Sequence, residues 1–223
     1  MPPAARPLPD PAAAPCREDP ALGDLRFRKL LSDEAWAGLA APVRQRFSKR
    51  LAGGRTAVYV GTVLETRMSR AGWWLAQAAR LIGAPLPTSR AAGVPSVVTV
   101  TEDMATGGQI WTRLYVRRRG FPQIIHSSKR FAGPTGLEEY VGRGVGMALA
   151  VAVEGGALVF RSRGYFLQLF GRRFALPAWM TPGALTVTHA EAGEGEFRFT
   201  LDIVHPRLGP LLHQSSAYRE TQS

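Results

Sequence analysis

The chain has 223 residues, 45% of them hydrophobic and 20% charged, a globular balance that excludes wholesale disorder and is enough for a full core. Its 28 basic and 17 acidic side chains leave a net charge of +11, but 25 of the basic residues are arginine in a chain also rich in alanine, glycine and proline, so coding bias explains the excess more simply than an anionic partner does. No apolar run reaches the roughly 18 to 20 residues of a membrane-spanning helix; the nearest, Val145 to Val153, stops at Glu154.

Residues 1 to 22 hold seven of the 17 prolines and few large apolar groups, which predicts a disordered tail. Prolines break any signal-type apolar region there, so a cytoplasmic address is expected, and the single Cys16 forbids an internal disulfide or a cysteine-rich metal site. Residues 23–223 are expected to form one domain. From Phe27 an apolar stripe (Leu30, Leu31, Trp36, Leu39, Val43, Phe47, Leu51) recurs at helical spacing. Ser32-Asp33-Glu34 starts one helix, and Pro42 opens a second short one over about 42–51, because proline at the first helical position has no amide hydrogen to lose. Thr56 to Thr66 has the β-branched content of a first strand. Arg70 to Ile82 then reads as an alanine-rich helix, apolar on nearly every side and stopping at Gly83.

After Pro87 the period switches to two. Extended runs fall at about 94–104, 109–118, 122–131, 137–141, 145–154, 157–163, 165–174, 185–191 and 196–205, and glycine or proline turns separate nearly all of them. The clearest is Glu196 to His205, where Phe197, Phe199, Leu201 and Ile203 alternate with Glu196, Arg198, Thr200 and Asp202. Such short gaps suit up-and-down hairpins and rule against a parallel sheet. The predicted fold is therefore mainly β: an antiparallel up-and-down barrel or half-barrel, calycin-like in organisation, with N-terminal helices and one lid helix after the first strand.

No motif names a reaction. Gly142-Arg143-Gly144-Val145-Gly146 has dinucleotide-loop glycines but no following helix, so they read as turn residues and no cofactor is expected. His126, His189, His205 and His213 share no metal-ligand spacing, and base-reading motifs for nucleic acid are missing. Two residue sets suit a polar pocket for an amphipathic acid, since arginine holds a carboxylate bidentately. One is Trp111, Arg113 and Tyr115 with His126 on the next strand; the other is Arg161 with Tyr165. For both sets a solvated outer face is the competing interpretation. Trp73 and Trp74, flanked by Arg70 and Arg80, either pack over the open end of the barrel or contact an anionic membrane surface. An apolar or amphipathic small molecule is thus the expected partner. An enzyme with Arg113, His126 and Arg161 in its pocket is the alternative.

The ordered series F-x-x-L-L…W-x-x-L-x-x-P-V-R (27–44), R-L-I-G-A-P-L-P (80–87), G-G-x-I-W-x-R (107–113), E-G-G-A-L-V-F (154–160), L-P-A-W-M-x-P (176–182) and D-I-V-H-P-R-L-G (202–209) resembles the bacterial domain-of-unknown-function 4166 family. The resemblance implies that the domain also occurs fused to saccharopine-dehydrogenase-like NAD(P)-binding proteins, so a dehydrogenase-like partner would supply any cofactor chemistry. It carries over no catalytic residue.

Overall fold

The computed structural model describes residues 23–221, so the expected tail at 1–22, Cys16 included, lies outside the described residues. Eleven strands form one antiparallel sheet: β1 (Ala57–Met68), β2 (Val94–Asp103), β3 (Gly108–Tyr115), β4 (Gln123–Arg130), β5 (Glu138–Gly142), β6 (Val145–Glu154), β7 (Ala157–Leu169), β8 (Arg172–Ala175), β9 (Ala184–Gly193), β10 (Glu196–His205) and β11 (Gly209–Glu220). Ten of them close into an up-and-down barrel in which β6 pairs with β7, β7 with β9, and β11 with both β10 and β1; β8 is an extra strand on β7. Closure gives each of the ten barrel strands a neighbour on both sides, although β4–β5 and β7–β9 pair over only three and four residue pairs.

Two sequence expectations need correction here. β11 was not expected as a strand. Its alternation is masked because the residues aligned with the inward Phe199, Leu201 and Ile203 of β10 are Ser216, Gln214 and Leu212, so half of that face is polar. The runs at 157–163 and 165–174 are one long strand followed by a hairpin to β8. Opposite them Ala148 pairs with Gly164 and Leu149 with Ser162, which leaves Arg163 as an extra residue; Gly164, at φ 149°, accommodates the bulge.

The two barrel ends are closed differently. At one end the N-terminal segment folds over the mouth through α1 (Asp33–Ala37) and α2 (Ala41–Phe47), with Ser32 Oγ accepting from Ala35 N (3.1 Å) as the cap of α1. Fully buried Phe27 meets Phe47, Phe131 and Phe160 edge-on at 5.0–6.1 Å between ring centres, so this end is filled by aromatic packing. At the other end α3 (Arg70–Ala78), continued by a 3-10 turn over 79–82, crosses the mouth. Ser69 Oγ caps it by accepting from Gly72 N at 3.0 Å. Gly72, Ala76 and Ala79 form its buried stripe, and a β-carbon on Gly72 would come within 1.9 Å of the Leu211 carbonyl oxygen. Only glycine lets the helix lie this close to β11.

Candidate functional site

Beneath α3 the barrel holds a cavity of about 460 Å³. Leu75 and Ala78 of α3, Ile82 of the 3-10 turn after it, and Leu176, Met180 and Pro182 of the β8–β9 connection roof it; Ile125, Met147, Val187, Phe199 and Leu201 are among the residues that line its walls. The roof is tied down by polar contacts at its margins. Tyr165 Oη donates to the Gly183 carbonyl (3.0 Å), and Gln123 Nε2 donates to the Leu86 carbonyl (2.9 Å) while its Oε1 accepts from Thr88 N (3.0 Å). Burial pushes the Tyr165 phenol up to about 12, so it remains a hydrogen-bond donor at neutral pH.

Polar groups gather at one place on this apolar surface. Arg113, Ser127 and Glu139 line the cavity, and Lys129 lies behind them at 2% exposure. The register puts Lys129 directly opposite Glu139 on β5, and Lys129 Nζ donates to Glu139 Oε2 at 2.8 Å. Burial alone would raise the Glu139 carboxyl, but the Lys129 ammonium and Arg113 guanidinium outweigh it and hold Glu139 below the usual carboxylate range. Lys129 goes down as well, because burial costs its ammonium more than Glu139 returns and Arg113 repels it. Arg113 donates to Ser127 Oγ at 3.2 Å, its one side-chain acceptor among the described residues. Two cations thus face one carboxylate at the wall of a mostly apolar cavity. The surplus positive charge is centred on Arg113, which has further donors to offer.

Below this layer, at the aromatic end, His189 is buried among Phe47, Trp111, Phe160, Phe197 and Phe199 with ring centres 5.1–6.2 Å away. Its Nδ1 has no hydrogen-bond partner among the described residues. Burial, reinforced by Arg46, Lys129 and Arg113, holds its pKa well below that of an ordinary histidine, so the ring is neutral at pH 7.

Residues 39–217 match the family model described as "Domain of unknown function (DUF4166)". The chain belongs to this family. No curated protein and no solved structure matches the DUF4166 chain. No helix among its described residues is long and apolar enough to cross a membrane.

The fold brings together only part of the residue set expected from the sequence. Arg113, Tyr115 and Tyr165 line the cavity of this DUF4166 domain, and Trp111 lies beneath it, its ring 5.4 Å from Lys129 Nζ. His126 does not reach the cavity. It is paired opposite Thr112 and exposed, with Nδ1 3.0 Å from Thr112 Oγ1, because the register aligns Trp111 with Ser127 and Arg113 with Ile125 and so turns Ser127 and Lys129 inward instead. Arg161 also lies outside, ion-paired with Glu154 at 2.6 Å; the bulge at Arg163 shifts the strand's phase, so that Tyr165 points in while Arg161 points out. The pocket of Arg113, His126 and Arg161 expected for an enzyme is therefore not assembled. Trp73 and Trp74 lie on the exposed side of α3, and of the glycines in 142–146 only Gly144 is in the β5–β6 turn, Gly142 ending β5 and Gly146 lying in β6.

Sequence reasoning missed Lys129 and the Lys129–Glu139 pairing. Their signal was present in the alternation Gln123, Ile125, Ser127, Lys129, but only the register says that this face is the inner one.

Proposed function

We propose that this protein is a binding module for a long-chain amphipathic acid, held with its carboxylate on Arg113 and its tail among the apolar walls. The observation that carries this reading is the Arg113 guanidinium, without an ion pair of its own among the described residues and sharing the Glu139 charge with Lys129, at the wall of a mostly apolar cavity of about 460 Å³. A volume of this size is typical of a small-molecule site. A half-buried guanidinium with donors to spare gains from a ligand carboxylate, which accepts charge-assisted hydrogen bonds from it. Each methylene of the tail adds about 0.8 kcal/mol on leaving water. The calycin-like order of the elements, one strand, a lid helix and then a meander, supports the same reading by analogy of architecture.

Native mass spectrometry of the protein as isolated tests it. The expected spectrum contains an adduct of fatty or isoprenoid acid mass that disappears after delipidation, and the delipidated protein gains thermal stability when such an acid is returned. A bare mass together with no thermal shift across a panel of such acids would refute the proposal.

A further inference from the structure

The five connections at the α3 end of the barrel, residues 69–93, 116–122, 143–144, 170–183 and 206–208, differ from the rest of the surface in two independent ways. They carry ten arginines (70, 80, 90, 117, 118, 119, 143, 172, 173 and 207) and not one aspartate or glutamate. Only Arg173 among these ten is ion-paired with a described residue, through Glu138. Acids instead gather at the opposite end, in or beside its turns: Asp24, Asp33, Glu102, Glu154, Glu194 and Glu220. Coding bias accounts for many arginines, but not for the lack of any acid in these five connections.

The second difference is apolar. Every exposed tryptophan and phenylalanine among the described residues lies on these connections: Trp73, Trp74, Phe121, Phe170, Phe174 and Trp179. Phe121 and Phe170, at 91% and 94% exposure, stand almost free of the protein. Phe170 also occupies a turn position with φ 50°, where a bulky side chain is unfavourable and asparagine or glycine would serve the turn better.

We infer that this rim docks on a lipid bilayer containing anionic headgroups. The arginines answer the negative surface and the indole and phenyl rings enter the interfacial zone, so the roofed cavity faces the membrane. Aromatics fully exposed at loop tips, beside apolar Leu81 and Leu208, favour a bilayer over nucleic acid, whose phosphates would use the arginines but not the aliphatic side chains. The inference rests on the outer rim and does not depend on what the cavity holds.

The test is co-sedimentation of delipidated full-length protein with vesicles of phosphatidylglycerol and phosphatidylcholine, set against phosphatidylcholine alone. Binding is expected only to the anionic vesicles and is expected to fall as salt rises. Arg118→Gln/Arg119→Gln should weaken it about 25-fold, roughly fivefold per arginine. Arg50→Gln/Arg55→Gln, at the opposite end, should leave it unchanged. Brominated acyl chains should quench the tryptophan fluorescence, less so in Trp74→Ser/Trp179→Ser, with circular dichroism confirming that each variant is folded. The inference is overturned by equal effects of the two arginine pairs, by an absence of quenching, or by rim variants that lose duplex or RNA binding while wild-type protein fails to pellet with any vesicle.

Discussion

Replacing Arg113 with methionine removes the guanidinium while keeping a flexible apolar side chain in the cavity wall. In the native protein Arg113 has one side-chain acceptor, Ser127, while Lys129 is already committed to Glu139. A bound carboxylate would therefore draw its charge-assisted hydrogen bonds from Arg113. Such bonds contribute about 1.5–3 kcal/mol, so Arg113→Met should weaken binding of a saturated fatty acid by about tenfold to a hundredfold or more. The alcohol of the same chain length brings no charge and should bind both proteins about equally. Along a series of acids, affinity for either protein should rise about fourfold per methylene until the cavity is full. Displacement of a fluorescent fatty acid, repeated for acid and alcohol, measures all three quantities. If Arg113→Met binds acids as tightly as wild type, or loses acid and alcohol affinity in equal measure, the assignment of the head group to Arg113 is wrong.

Three further outcomes follow from the interior. Lys129→Met alone should cost about 3 kcal/mol in urea unfolding by leaving Glu139 charged and short of its nearest cation, whereas Lys129→Met/Glu139→Leu should recover most of that loss. His189 is held neutral, so the folded state binds fewer protons than the unfolded state below the ordinary histidine pKa near 6.5; stability should fall by about 2 kcal/mol between pH 6.5 and 5, and His189→Phe should flatten that slope. The window lies above the range in which Glu139 and Asp103, both held below the usual carboxylate values, lose their contributions. Gly72→Val should push α3 off the Leu211 carbonyl, lowering the thermal midpoint by several degrees and raising the ligand off-rate, which stopped-flow displacement would show.

The strand periods and turn chemistry carried much of the architecture. Phe197, Phe199 and Ile203 are buried as their alternation requires, and Ser32 caps its helix where the sequence places a helix start. The missing strand, β11, shows why the pattern fails where function or structure puts polar groups inside: Gln214 and Ser216 share the face of Leu212 and Tyr218, so nothing in the segment alternates. The candidate site was less legible than the fold. Arg113, Tyr115 and Tyr165 line the cavity, but His126 and Arg161 were grouped with them by alternation alone, and the β3–β4 register and the bulge within β7 turned them outward.

Residue pattern alone gave most of the hairpin order, the two alternating faces of most strands, the helical segments after Ser32 and Ser69, and the family. It could not choose between the faces, because a period of two is unchanged in form when a strand slips by one residue. Closure of the barrel made that choice. Pairing Trp111 with Ser127 and Lys129 with Glu139 turned one face of β3 and β4 inward, and joining every turn of one polarity at a single mouth gathered arginines and aromatics that lie up to 137 residues apart, from Arg70 through Phe121 and Phe170 to Arg207 in the β10–β11 turn. Side chains distant in the chain became one cavity and one rim only because the strands between them have fixed lengths and a shared register.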